Sequence, residues 1–313
     1  MSKELTPAVI ARLNALGLKH EPFEPKKVNV FSKEALPNLT LVIDGFQRLP
    51  TGEDYLRACD EAHATAFFAV VGQTGTGRSA AAKYILERWR QQRSVDLDRL
   101  IVPLVEEVHH DHYAIFTTWM SDMSGRASEL TRIPAETETQ LNAALMNQAL
   151  LPIFTNQYRR HATSYGTELR AAHPNAAFAV CLEEIVDTKY LKTISTIFEK
   201  ADTLCICTMS PAVAENADFE AIGWKEIRLE ALRGEETAEF IDAHWRQHTD
   251  AAIPFEQTIV REAFAKRVDV IGRVRTLMSD ILISKLTLSP DREWNLEAFN
   301  LALEKAEAGV SAP

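Results

Sequence analysis

Apolar residues recur along this chain in two rhythms, and the rhythm changes near residue 233. Before that point, short unbroken apolar runs stand between longer amphipathic stretches. AFFAVV at 66–71, LIVPLV at 100–105, AAFAVCL at 176–182 and TLCICT at 203–208 are rich in Val, Ile, Phe and Cys. Runs of that length and type predict strands covered on both faces. WKEIRLEAL at 224–232 adds a last short strand. Helical spacing fills the intervals, over 53–63, 79–92, two segments around 111–125 and 137–161, and 188–199. Strands separated by helical crossovers predict a parallel α/β sheet.

At the N-terminus, Thr6 and Pro7 form a cap and first-turn proline. Val9, Ile10, Leu13 and Leu16 then mark one helix face, and Gly17 ends it. The prolines of HEPFEPKKVNVF predict an irregular segment next. After Arg233, four segments carry only helical spacing: EETAEFIDAHWRQ, FEQTIVREAFAKR, GRVRTLMSDILISKL and REWNLEAFNLALEKAEA. The chain therefore divides into an α/β unit, residues 1–232, with an N-terminal helix and linker, and an all-helical unit, residues 233–313, whose tail frays from Ala308.

With 46% hydrophobic residues the 313-residue chain can bury a sizeable core. Its net charge of −10 argues against a surface that binds nucleic acid throughout. Cys181, Cys205 and Cys207 lie inside apolar runs and read as buried free thiols, and the absence of CxxC spacing assigns no zinc. The N-terminus lacks signal or transit character, and no apolar window spans a bilayer. A cytoplasmic protein without membrane contact is expected.

Candidate chemistry begins after the first buried strand. GQTGTGRS places Gly72, Gln73, Thr74, Gly75, Thr76, Gly77, Arg78 and Ser79 between that strand and a helix. G-x-x-x-x-G-[basic]-[Ser/Thr] in this setting is a phosphate-binding loop: glycines let backbone N–H groups converge on phosphate, and the helix start adds partial positive charge. The Ser79 hydroxyl is placed to coordinate Mg²⁺. Arginine stands where lysine is usual, so Arg78 offers a planar fork instead of a compact charge. The strand at 176–182 runs into Glu183-Glu184, where carboxylates can hold a Mg²⁺ shell and activate a water. The alternative is a solvated acidic strand end. Thr208 ends a strand that should neighbour the loop strand, unless it is only a strand-end cap. Arg275, three residues after Gly272, could reach over a nucleotide or be a surface helix charge. The His109-His110-Asp111-His112 run reads as a polar loop rather than a metal site, because adjacent residues cannot all face one ion.

This order of parts resembles the AAA+ ATPases over about residues 15–308: phosphate loop, acidic pair on a later strand, polar strand end, then a helical unit with a G-x-x-R helix. The resemblance implies a parallel-sheet P-loop NTPase core with a C-terminal helical lid, and ATP and Mg²⁺ as ligands. It implies Ser79 and Glu183 on Mg²⁺, Glu184 as base, Thr208 as sensor 1 and Arg275 as sensor 2. LGLKHEPFEP is similar to the x-P-F segment of the origin-recognition, secretion-ATPase and transposition-regulator branches, which implies Pro22 and Phe23 near the adenine; the alternative is a plain loop anchor.

Three departures bear on hydrolysis. Arg78 and Glu183 replace the usual Lys and Asp, and MSPAVAENADFEAIGW, where the family's arginine finger falls, contains no Arg or Lys. Such a finger is worth 10³–10⁵ in rate in GTPases. Arg159, Arg160, Arg170 or a protein partner could supply one. The expectation is an ATP-binding switch or assembly component with slow or partner-activated hydrolysis, able to form homo-oligomers. Two other classes stay open. A DNA-dependent ATPase of the transposition-regulator or initiator kind is favoured by the x-P-F segment and opposed by the charge. A non-hydrolysing scaffold is opposed by the three loop glycines.

Overall fold

A computed structural model describes residues 5–24, 50–102, 151–288 and 292–309. The His109–His112 cluster, the helix expected over 111–125, most of that over 137–161 and the end of the run at 100–105 lie outside the described residues.

The described elements are α1 (Pro7–Ala15), α2 (Pro50–Glu61), β1 (Ala66–Gly72), α3 (Arg78–Gln92), β2 (Leu100–Ile101), α4 (Leu151–Ala172), β3 (Ala177–Ile185), α5 (Lys189–Phe198), β4 (Leu204–Met209), α6 (Pro211–Ala214) and β5 (Lys225–Leu229). The remainder are β6 (Leu232–Arg233), α7 (Glu235–Arg246), α8 (Gln257–Phe264), β7 (Val268–Asp269), α9 (Ile271–Leu288) and α10 (Leu296–Glu307). Five strands form one parallel sheet in the order β2-β3-β4-β1-β5. This is the mixed α/β architecture that the alternating runs predict.

Because side chains alternate across a strand, each apolar run feeds two cores. Phe67, Ala69 and Val71 of β1, Phe178, Val180 and Leu182 of β3, and Cys205 and Cys207 of β4 pack with residues of α4 and α5. Ala66, Phe68 and Val70, Ala179 and Cys181, and Leu204 and Ile206 face the other way, against α2 and α3. Cys181, Cys205 and Cys207 are buried and free, as their apolar settings predict. Burial pushes the Cys181 thiol up to about 12, so it stays protonated and inert.

A third core joins α1 to α7, α8, α9 and α10. Thr6 caps α1 by accepting the Val9 N–H at 3.4 Å, and Val9 and Leu13 face inward, but Ile10 is 45% exposed. The sequence division at 232/233 therefore needs one correction. Residues 5–24 precede the α/β unit in the chain, yet their apolar side chains Val9, Leu13, Leu18 and Phe23 complete the helical core. The helical segment also contains a short antiparallel pair, β6 with β7, which its helical spacing did not signal. Two-residue strands are too short to show a period. Among the described residues no helix is long and apolar enough to cross a membrane.

Candidate functional site

After β1 the chain turns through Gln73–Gly77 and enters α3 at Arg78. Gly75 at φ +87° and Gly77 at φ +91° occupy left-handed backbone that L side chains rarely adopt, so glycine is required at both. Thr76 closes the turn, donating its N–H (3.1 Å) and its hydroxyl (2.8 Å) to the Gln73 carbonyl. The N–H of Ala81 reaches Gly77 O at 2.8 Å. The N–H groups of Arg78, Ser79 and Ala80 thus precede the helical ladder and carry its partial positive charge. Gln73, Thr74 and Gly75 are exposed, Ser79 is half-buried, and the arrangement suits an anion at a helix start.

The acidic pair comes to the same end of the sheet. β4 lies directly beside β1, with Val70 opposite Thr208, as expected of the strand that Thr208 ends. On its other side β4 pairs with β3, and the register shifts between Leu182 and Ile185. Glu183 and Glu184 occupy that bulge, a device that re-aims side chains at a strand end. Glu184 has φ +58°, and its N–H donates to Thr208 Oγ1 at 3.0 Å. The buried Thr208 hydroxyl therefore fixes the backbone of Glu184.

Arg78 donates from Nη2 to Glu184 Oε1 at 2.6 Å. The two partners differ sharply in exposure, 6% for the arginine side chain against 67% for the glutamate. Two buried atoms nearby have no hydrogen-bond partner among the described residues, Arg78 Nη1 and Glu183 Oε1. Buried polar atoms are normally satisfied. An orphaned guanidinium donor calls for an anion, and an orphaned carboxylate oxygen for a cation or water. The donor set thus fits phosphate and Mg²⁺.

Left-handed backbone costs a non-glycine residue roughly 1–2 kcal/mol. Glu184→Gly relieves that strain but leaves the buried Arg78 guanidinium without its anion, and is expected to lower stability by about 1 kcal/mol or more, measured by urea unfolding. A gain in stability would show that the strain outweighs the Arg78 ion pair.

The helical unit rests on this loop. Gly272, at the start of α9, donates its N–H to Gly75 O at 2.9 Å. A Cβ at Gly75 would lie 3.0 Å from Val270 Cγ2, and one at Gly77 would lie 3.7 Å from Ile271 Cδ1. Arg275, one turn on from Gly272, donates from Nη2 to Glu24 O at 2.5 Å, and its Nε is buried without a partner. Burial lowers the Arg275 pKa, while the Glu21 and Glu24 charges raise it. Arg273 pairs outward with Asp269 and Glu307 at 3.4 and 3.0 Å.

The x-P-F segment runs along the same helix. Glu21 is buried, accepting from Phe23 N–H at 2.8 Å and from the Ser279 hydroxyl at 2.9 Å. Phe23 is fully buried, its ring centroid 5.4 Å from that of His244 and 6.3 Å from that of Trp245. Its ring is enclosed by the helical core, so Phe23 anchors the segment that meets Arg275, the loop-anchor alternative of the sequence reading. Glu21, Ser279 and His244 were not singled out in the sequence; isolated polar residues in amphipathic stretches give no signal of burial.

His244 holds this segment through Nε2–H, which donates to Pro22 O at 2.8 Å, and its Nδ1 is buried without a partner. Burial, with Arg275 and His248 nearby, lowers its pKa to about 4. Between pH 6.5 and about 4 the unfolded chain binds a proton that the folded chain refuses, so this group's stability contribution falls as the pH drops. The loss reaches about 3 kcal/mol. Glu21 acts oppositely: burial raises its pKa, so its contribution falls as the pH rises through that value. Urea unfolding at pH 7 and pH 4.5 is expected to show a smaller acid loss for His244→Gln than for the natural chain. Parallel curves would place the acid sensitivity elsewhere.

Two of the arginines considered as finger substitutes are engaged within the chain. Arg159 pairs with Glu199 at 2.7 Å, and Arg170 pairs with Asp202 and, at 3.5 Å, with Asp60. Arg160 is exposed. Beside the loop, a cleft of about 530 Å³ opens between Gln73 and Thr74, the end of β5 at Arg228 and Leu229, and Val270 and Arg273. That volume is within the range of small-molecule sites. Two other hollows lie on α10, away from the loop.

No protein-family model matches the chain, and no curated protein matches it. Among solved structures, C. elegans PCH-2 aligns over 90% of this chain and 71% of its own, at 12% identity and a TM-score of 0.36. With an overlap that loose, the reading of the site rests on the strand order, the loop geometry and the side chains themselves.

Proposed function

We propose that this chain is an ATP-binding protein of the AAA+ type, working as a nucleotide-dependent switch or assembly component with slow or partner-activated hydrolysis. The observation that carries the reading is the convergence at one sheet end of the glycine loop, Arg78, Glu183, Glu184 and Thr208. The orphaned Arg78 Nη1 and Glu183 Oε1 support it, one suited to phosphate and the other to a cation.

In this reading the loop N–H groups and Arg78 bind the phosphates, and Gln73 and Thr74 border the cleft that receives the rest of the nucleotide. Ser79 and Glu183 would hold Mg²⁺, which neutralises charge on phosphate oxygens when bound. Glu184 accepts a proton from the attacking water, and Thr208 holds its backbone in place. The α9 start closes over the loop as a lid, with Arg275 on the face that carries Gly272. Slow hydrolysis is supported by the lack of a basic residue between β4 and β5. A partner protein or a second copy of this chain then provides the missing positive charge.

The test is incubation of the purified chain with ATP and Mg²⁺, rapid desalting and chromatography of the bound nucleotide. Intact ATP retained after an hour is expected. Turnover by the chain alone above about 1 s⁻¹, within the ordinary enzyme range, would overturn slow hydrolysis. Failure to retain any nucleotide would overturn the binding reading.

A further inference from the structure

We infer that Arg78 is a partner-exchanging positioning residue: its guanidinium holds the Glu184 carboxylate until a triphosphate displaces it, so that phosphate binding itself releases the base. The inference rests on the ATP-binding reading and deepens it, because it says how that site is regulated.

The asymmetry of the pair is the starting point. The Arg78 side chain is 6% exposed, so it stays where it is and needs an anion at all times; an unpaired buried charge is strongly destabilising. Glu184 is 67% exposed, so its carboxylate can leave for water at little cost. The mobile member of the pair is therefore the glutamate. Its backbone does not need to move, because the Glu184 N–H is bound to Thr208 Oγ1 at 3.0 Å within the β3 bulge. Only side-chain torsions change.

Arg78 Nη2 is on Glu184 Oε1 at 2.6 Å, while Nη1 is enclosed and has no partner among the described residues. The side of the guanidinium that an incoming phosphate can approach is therefore the side that the exposed carboxylate covers. The carboxylate and the phosphate compete for one cation, and the base is withheld until the substrate is present.

Competition has a measurable signature. Removing the carboxylate charge by Glu184→Gln should tighten ATP binding by roughly two- to fivefold, on the scale of ion pairs with one exposed partner. A residue that only activates water would leave affinity unchanged. Binding of ATP and AMP should be measured by isothermal titration calorimetry for the natural chain, Glu184→Gln, Arg78→Gln and the double variant. Tightening is expected for ATP, little for AMP, and none when Arg78 is already replaced, since the coupling belongs to the pair.

Unchanged or weakened ATP binding by Glu184→Gln, with the natural chain binding ATP, overturns the exchange and leaves the nucleotide reading standing. Equal tightening for ATP and AMP, or tightening that persists in the Arg78→Gln background, overturns it as well, because the effect is then general electrostatics. No ATP binding by the natural chain overturns both readings. If Arg78→Gln fails to fold, the comparison of ATP with AMP in Glu184→Gln alone decides.

Discussion

Glu184→Gln is expected to slow conversion of bound ATP to ADP by at least about 100-fold, the lower end of what a positioned general base contributes. The amide keeps the length and shape of the side chain but cannot take a proton from water at neutral pH. The backbone N–H bond to Thr208 Oγ1 does not depend on the side chain, so the bulge should persist. Single-turnover measurement with protein in excess over ATP separates this loss from any change in affinity. Hydrolysis that continues at the natural rate would move the base to another residue. Retention of ATP with loss of turnover would give the trapped state from which an activating partner could be sought.

Gly166→Ala should produce the largest loss of stability among the substitutions considered. Gly166 lies inside α4, where glycine is ordinarily unfavourable by about 1 kcal/mol relative to alanine. Here the preference reverses, because a Cβ at this position would fall on the carbonyl oxygen of Ala201, just beyond α5. Backbone cannot yield as a flexible side chain does, so the clash must part α4 from the end of α5. Both helices contribute to the core on one face of the sheet, through Ala162, Leu169, Ile194 and Ile197 among others. The expected cost is about 3 kcal/mol or more. That corresponds to a fall of roughly 5 °C in Tm for a chain of this size. A loss below about 1 kcal/mol would show that α4 can shift away without disturbing the sheet.

Much of this protein was legible without coordinates. Buried strands are short apolar runs because both faces must be covered. On that ground β1, β4, α3 and α5 could be located to within a residue, whereas β3 continues to Ile185 and α4 to Ala172, past their expected ends. Gly75 and Gly77 announce the loop because only glycine tolerates its left-handed backbone. These features depend on residues close in sequence or on a strict side-chain period.

Tertiary structure alone decided the rest. That α1 and Phe23 belong to the helical core, not to the α/β unit, depends on which of two apolar surfaces they cover, and their own pattern is the same in either case. Gly272 on the Gly75 carbonyl joins residues nearly two hundred positions apart, and the burial of Glu21 and His244 arises only once α9 and α7 close around them. The Arg78–Glu184 pair is of the same kind. The motifs name both residues, but only folding sets an enclosed guanidinium against an exposed carboxylate, and that difference in solvation determines which of the two can move.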